Sequence, residues 1–298
     1  MDPILSEVIA RVPGWAGAMD LTVMPLGGGI TNQNFRVEVG GESFVVRISG
    51  ANTELLGIRR ELEYAANRAA AAIGVAPQVV HFLRPEGYLV TRFIPGRALT
   101  QEEIGQPANI RRVAEILKRI HGMPPIPGTF SPFRMVETYA EIGRRYNVAL
   151  PDNFDWLTQR KKEIEEALRR DPFPPRPCHN DLLIGNFLDD GEIRVLDWEY
   201  AGMGDVTFDL ANFAVNHGFS EAQDHVLLEA YYGAATAART ARLRLMKTMS
   251  DFREAMWGIV QIGISQLDFD FRDYAAKHFR RMAERMNDPG WQHWLQEA

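Results

Sequence analysis

The stretch Cys178-His179-Asn180-Asp181-Leu182-Leu183-Ile184-Gly185-Asn186, continued by Val195-Leu196-Asp197-Trp198-Glu199, constrains this chain more than any other. Asp190-Gly191 between the two segments is a two-residue hairpin signal. A turn there pairs Asp189 with Glu192 and Asn186 with Val195. Residues two apart on a strand share a face, so Asn186 and Asp197 are expected to point the same way. Diagonal cross-strand neighbours lie roughly 7–8 Å apart, close enough for two oxygen-bearing side chains to share a cation. Asp181 falls in the loop leading into the first strand. Two carboxylates and an amide oxygen gathered in this way suit Mg²⁺, which keeps some of its waters and usually binds a substrate's phosphates as well.

The segments before residue 95 read mostly as strands. A short helix over 5–19 ends near Gly17. Leu21–Pro25, Asn34–Val39 and Ser43–Ile48 are β-rich runs, the last two joined by Gly40-Gly41. Gly27-Gly28-Gly29-Ile30-Thr31-Asn32 joins the first to the second. Its glycines let backbone N–H groups approach a ligand, and Thr31 and Asn32 add side-chain donors; a plain surface turn has the same composition. A helix is expected over 53–73, with Thr53 as N-cap and Gly74 as stop. Val79–Leu83 and Tyr88–Arg92 complete the strands.

From about 107 the pattern turns helical. Val113, Ile116, Leu117 and Ile120 form a 3.6-residue stripe ending at His121-Gly122, which makes His121 a helix-end residue. Further helices are expected near 134–148, 153–170, 206–217, 221–235, 240–268 and 271–286. Pro172, Pro174, Pro175 and Pro177 force an extended approach to the hairpin. The layout is α+β: a small β-rich lobe over 1–95, then a larger, mostly helical lobe over 96–298 carrying the acidic hairpin.

Hydrophobic content of 46% with 24% charged residues fits a soluble globular chain, and a net charge of −6 argues against nucleic acid or an anionic membrane as partner. The N-terminus lacks a basic region followed by an apolar run, so no signal peptide is expected. The apolar segment around Ala255 to Leu267 is interrupted by Gln261 and preceded by Arg253 and Glu254, so it reads as a buried helix, not a membrane span. A single cysteine, Cys178, excludes an intrachain disulfide and fits the cytoplasm. Neighbouring residues on a strand face opposite ways, so Cys178 and His179 do not form a thiol–imidazole pair, and Cys178 reads as a packing residue.

His179-x-Asp181-x-x-x-x-Asn186 followed by Asp197 resembles the catalytic loop and metal-binding aspartate of the protein-kinase-like superfamily. The form with Gly185-Asn186 and Leu196-Asp197-Trp198-Glu199-Tyr200 is similar to choline/ethanolamine kinases, including their bacterial relatives, and more distantly to aminoglycoside phosphotransferases. Gly28-Gly29-Ile30-Thr31-Asn32, Val45-Val46-Arg47-Ile48, Trp257-Gly258-Ile259-Val260-Gln261 and Asp273-Tyr274-Ala275 resemble further segments of that family in the same order.

The resemblance implies a protein-kinase-like two-lobed fold and transfer of phosphate from ATP, with Mg²⁺, to the hydroxyl of an amino-alcohol: choline first, ethanolamine second. The alternatives are thiamine, an aminoglycoside or another small alcohol. It implies Asp181 as catalytic base, with His179 in the same loop. Asn186 and Asp197 would hold Mg²⁺. Gly28, Gly29, Thr31 and Asn32 would form the nucleotide loop, and Arg47 would contact phosphates, fixed by Glu63 or failing that Glu61. Thr91, Phe93 and Ile94 would form the adenine hinge, Asp209 would brace the catalytic loop, and Trp257 and Tyr274 would take a quaternary ammonium by cation–π contact. Blander readings stand beside these: Asp209 as a helix N-terminal acid, Arg47 as a solvated strand residue, Trp257 and Tyr274 as core, and Glu199 as an ion-pair partner.

Two positions depart from the family pattern. Leu183 stands where a glutamine is usual, and Asn216 where an acid often stands. Both lie towards the acceptor. A nucleotide-binding pseudokinase and a metal-dependent hydrolase built on His179, Asp181 and Asp197 are the rival classes. A monomer or homodimer is expected.

Overall fold

The computed structural model describes residues 3–27 and 32–298. Gly28, Gly29 and Thr31, three of the residues expected at the nucleotide loop, lie outside the described residues. The N-terminal helix α1 (Pro3–Arg11) stops well short of Gly17, because Pro13 disfavours helical geometry at Val12 and Gly14 turns with positive φ. Five strands follow, β1 (Thr22–Leu26), β2 (Gln33–Val39), β3 (Glu42–Ile48), β4 (Val79–Leu83) and β5 (Tyr88–Arg92), in the antiparallel order β1-β2-β3-β5-β4. One face alternates inward with Val37, Val39, Phe44 and Val46, and Leu5 and Val8 of α1, with Trp15 beyond it, close over that face.

Helix α2 (Arg60–Ala72) lies between β3 and β4 in sequence. The single helix expected over 53–73 is in fact two elements. Thr53–Leu56 form a 3₁₀ turn that ends at Gly57, whose φ of +81° suits glycine and where a Cβ would come 3.1 Å from the Met135 side chain, and the chain turns helical again as α2 after Arg59. The buried face of α2, including Ala66 and Ala70, belongs to the large core that runs through the rest of the chain.

That remainder begins with β6 (Arg97–Ala98), α3 (Gln101–Ile104), α4 (Pro107–His121), α5 (Pro132–Arg145) and α6 (Phe154–Arg169). The prolines then lead through β7 (Arg176–Cys178) to the acidic hairpin of β8 (Phe187–Asp189) and β9 (Ile193–Val195), followed by β10 (Gly202–Gly204). Helices α7 (Val206–Asn216), α8 (Glu221–Tyr232), α9 (Ala237–Ile264), α10 (Phe271–Met286) and α11 (Trp291–Glu297) complete the chain. The long α9 is buried over most of its length and anchors this core. Elements of three or four residues (α3, β7, β10) escape periodicity, which needs at least one full repeat.

Three ties hold the hairpin between the sheet and the helices. Val195 donates its N–H to Val75, just beyond α2, at 2.8 Å. β6 pairs with β8, and a Cβ on Gly96 would come 3.1 Å from the Asp189 carbonyl. Arg112 of α4 grips the Asp189 carboxylate with two hydrogen bonds of 2.7 and 2.9 Å.

Beneath the hairpin, Phe187 joins Phe213, Phe219 and His217 in an aromatic cluster. His217 donates through Nδ1 to the Phe213 carbonyl at 2.7 Å, its Nε2 is buried without a partner, and burial pulls its pKa down to about 4. The ring folds neutral and charges only in the unfolded chain as pH falls below about 6.5. The native state therefore binds fewer protons than the unfolded state between those pH values, and stability falls with pH. His217→Phe is expected to remove roughly 1 kcal/mol per pH unit of that slope between pH 6.5 and 5. Urea midpoints measured across the range check this; equal slopes in the two proteins would refute it.

Candidate active site

The hairpin register differs from the expected one. Phe187 pairs with Val195 and Asp189 with Ile193, one residue away from the expected pairing, because the loop holds three residues and Gly191 takes φ +106°. Asn186 lies in a 3₁₀ turn, not on a strand, and its carbonyl accepts from Leu196 N–H at 2.8 Å. Asp197 adopts a left-handed φ of +62°, an excursion that Asp tolerates better than most residues. Strand alternation therefore does not set the direction of either side chain. This corrects the shared-face argument, although the loop still brings the two residues to neighbouring positions.

Asp209, fully buried in the first turn of α7, accepts from His179 N–H at 2.8 Å and Asn180 N–H at 2.6 Å and also meets His121 Nε2 at 3.0 Å. His121 is thus more than a helix-end residue: its other nitrogen lies 2.6 Å from the Tyr231 hydroxyl, so α4 and α8 both support Asp209. Asn212, one turn further along α7, accepts from Leu182 N–H at 2.6 Å and donates to Ser250 of α9 at 3.0 Å.

His179 is fully buried. Its Nε2 donates to the Leu196 carbonyl at 2.9 Å, and its Nδ1 accepts from Asp181 N–H at 3.2 Å. Burial lowers its pKa, so the imidazole is neutral and both nitrogens are engaged within the loop. Such a ring positions the loop and offers nothing to a metal, which removes the basis for the hydrolase reading. Cys178 is buried, and burial raises its thiol pKa.

On the sheet side, Arg47 of β3 ion-pairs with Glu63 of α2 and meets Asp197 at 3.2 Å. Glu61, the fallback partner, instead pairs with Arg84 at the surface. Arg60 bridges Glu63 and Glu199, and Asn32 donates to Glu199 at 2.9 Å. Burial and then Glu199 push the Asp197 pKa up, against the pull of Arg47. Burial also acts to raise Glu199, but Arg47 and Arg60 outweigh it and its pKa is lowered.

The carboxylates of Glu63, Asp197 and Glu199 lie within 4.8 Å of one another and are faced by two guanidiniums, which leaves one negative charge in excess. Asn186 donates Nδ2 to the Asp181 carbonyl at 2.8 Å, so its Oδ1 is the atom left for other partners. The donor set is all oxygen and fits a hard divalent cation.

Thr91 is buried on β5 opposite Val45. Phe93 donates N–H to Ser43 at 3.0 Å and its ring lies 4.2 Å from the Arg36 guanidinium, while Ile94 accepts from Gly96 N–H at 2.8 Å.

On the other side of the loop, Asp181 Oδ1 lies 3.2 Å from Arg253 Nη1 of α9. Arg253 also holds Glu254, which accepts from the Tyr274 hydroxyl of α10 at 2.7 Å. Trp257 meets the Tyr274 ring edge-on at 5.5 Å. Burial pushes the Asp181 carboxyl up to about 7 against the pull of Arg253. The aromatic pair is thus linked to Asp181 through Arg253 and Glu254, two charges standing just before an apolar run. That exception to the helix pattern was their only sequence signal. Leu183 closes the turn by accepting from Asn186 N–H at 3.0 Å, and Asn216 ends α7 with its Nδ2 buried and unpartnered.

A phosphotransferase of the protein-kinase-like class is the kind of protein in which such a loop, hairpin and arginine–glutamate pair come together. The profile of the phosphotransferase enzyme family (APH) matches residues 22–245, three quarters of the chain, and the chain belongs to that family. Protein LicA of Haemophilus influenzae is 30% identical over 84% of this chain and 76% of its own length, and human ethanolamine kinase 1 is 27% identical over 90% and 68%. A choline/ethanolamine kinase family protein from Mesorhizobium loti superposes with a TM-score of 0.85 at 32% identity, covering 99% of this chain and 97% of that one. The chain is a kinase that acts on an alcohol. Among the described residues no helix is long and apolar enough to cross a membrane.

Proposed function

We propose that the protein transfers the terminal phosphoryl group of ATP, with Mg²⁺, to the hydroxyl of a small amino-alcohol, with choline the first acceptor and ethanolamine the second. The observation that carries this reading is the placement of Asp181 between two clusters: Arg47, Glu63, Asp197 and Glu199 on one side, Arg253, Glu254, Trp257 and Tyr274 on the other. The similarity to choline and ethanolamine kinases supports the acceptor class, and the complex of LicA, a structural relative, with AMP supports an adenine nucleotide.

Phosphoryl transfer asks a protein mainly for positioning and charge stabilisation. Asp181 orients the acceptor hydroxyl and takes its proton late, when the new O–P bond has formed. Arg47 faces the phosphates and is held in direction by Glu63. A guanidinium in this role keeps its charge and offers a fork of donors. Asn186 and Asp197 would hold Mg²⁺, which when bound neutralises charge on the phosphate oxygens. Asn32 would face the nucleotide, with Gly28, Gly29 and Thr31 assigned to the same loop from the sequence alone, and Thr91, Phe93 and Ile94 would border its base. The sheet with α2, over 1–95, supplies the nucleotide side, and 96–298 the loop and acceptor side. The protein works in the cytoplasm as a monomer or homodimer.

The test is ADP release from Mg·ATP over a panel of choline, ethanolamine, thiamine and an aminoglycoside. Release with choline above the acceptor-free rate is expected. No release with any acceptor would overturn the reading.

A further inference from the structure

Arg253 is 1% exposed, yet its Nε and Nη2 have no partner. Only Nη1 is engaged, with Asp181 at 3.2 Å and with Glu254. The face of the guanidinium is covered by Tyr200, whose ring lies 4.2 Å away, so the buried, orphaned N–H groups can take a partner only in the guanidinium's own plane. Unmet donors on a buried charge are costly and rare in native structures. These lie next to the carboxylate that would receive the acceptor hydroxyl.

We propose that Arg253 is an acceptor-specificity residue whose free Nε and Nη2 edge binds an acid group of the substrate, so that the substrate is an amino-alcohol that also carries a carboxylate. This rests on the phosphotransfer reading above and, in place of the choline and ethanolamine named there, gives the same site an acceptor that bears a carboxylate. The cluster also has a place for an ammonium. Asp181 and Glu254 against Arg253 leave one negative charge, and Trp257 and Tyr274 supply aromatic surface for a cation. A zwitterion leaves the net charge unchanged but gives each half a partner: its acid oxygens complete the arginine, and its ammonium has Glu254 and the aromatic surface. A planar carboxylate matches the edge of a guanidinium with two parallel N–H···O bonds.

The experiment compares acceptors that differ only in the carboxylate: L-serine with ethanolamine, and L-homoserine with 3-amino-1-propanol, with choline alongside. ADP release gives kcat/KM for each. In the native protein the carboxylate-bearing member of at least one pair is expected to lead by about tenfold to a hundredfold. Arg253→Met is expected to slow both members, since Nη1 also holds Asp181, but to abolish the preference. Arg253→Lys keeps the charge without the fork and is expected to fall between, and it serves as the variant of record if Arg253→Met fails to fold by thermal unfolding with Mg·ATP.

Ethanolamine and 3-amino-1-propanol outpacing their acids in the native protein would overturn the proposal and leave the kinase reading intact. A preference that survives the substitution would overturn it too, as would an equal loss for every acceptor, which would place the arginine on the transferred phosphoryl group instead. Absence of ADP release above background with every acceptor would defeat the kinase reading. Calorimetry with L-serine and L-homoserine alone then decides the proposal, with binding lost in Arg253→Met supporting it and no binding overturning it.

Discussion

Asp181→Asn is expected to keep Mg·ATP binding and to lose about a thousandfold in turnover. The substitution is nearly isosteric, and the backbone of residue 181 is held independently by its hydrogen bonds to His179 Nδ1 and to the Asn186 amide. The loop should therefore keep its shape. An amide oxygen still accepts from Arg253 but cannot take the acceptor proton, so the late proton transfer has no receiver. Arg47, Asn186 and Asp197 are untouched, and nucleotide affinity should change little. Single-turnover ADP formation and calorimetry with Mg·ATP measure the two quantities separately. Turnover within a few-fold of the native rate would remove Asp181 from the chemistry.

Asp209→Ala is expected to cost about 3–5 kcal/mol of stability. One fully buried carboxylate satisfies two backbone N–H groups of the loop and a histidine from α4. Removing it leaves all three without a partner in a site that water does not reach. The loss should also reach the loop itself, because His179 and Asn180 are the residues released. Asn180 sits at a left-handed φ of +66°, which asparagine adopts more readily than most residues but which still needs its surroundings to hold it. Asp209→Asn keeps one acceptor oxygen and should fall between the two. Urea unfolding gives the cost, and a change below about 1 kcal/mol would show that the network is not cooperative.

Much of the architecture is written locally. Alternation in Val37, Val39, Phe44 and Val46 makes a one-faced sheet, the stripe on α4 makes a helix, and Asp190-Gly191 makes a turn. The order of glycine loop, Arg47, acidic helix, His179–Asn186 loop and Asp197 needs no coordinates either, because each motif is read from neighbours within a few residues.

The rest depends on partners that no local pattern selects. Arg47 meets Asp197 across 150 positions, Arg60 reaches Glu199 across 139, His121 reaches Asp209 across 88, and Arg253 reaches Asp181 across 72. The packing of α2, α4, α7 and α9 around one core chooses these contacts, and many side chains on a helix face could have served in each place. The hairpin shows the same division on a smaller scale. Its turn was legible, but whether the loop held two residues or three depended on the backbone at Gly191, and one residue of slip reverses every side chain on the strand. Short-range chemistry suffices for elements and motifs, since their energies come from adjacent residues. The active-site charge network required the folded chain, since its energy comes from desolvating groups that only tertiary packing brings together.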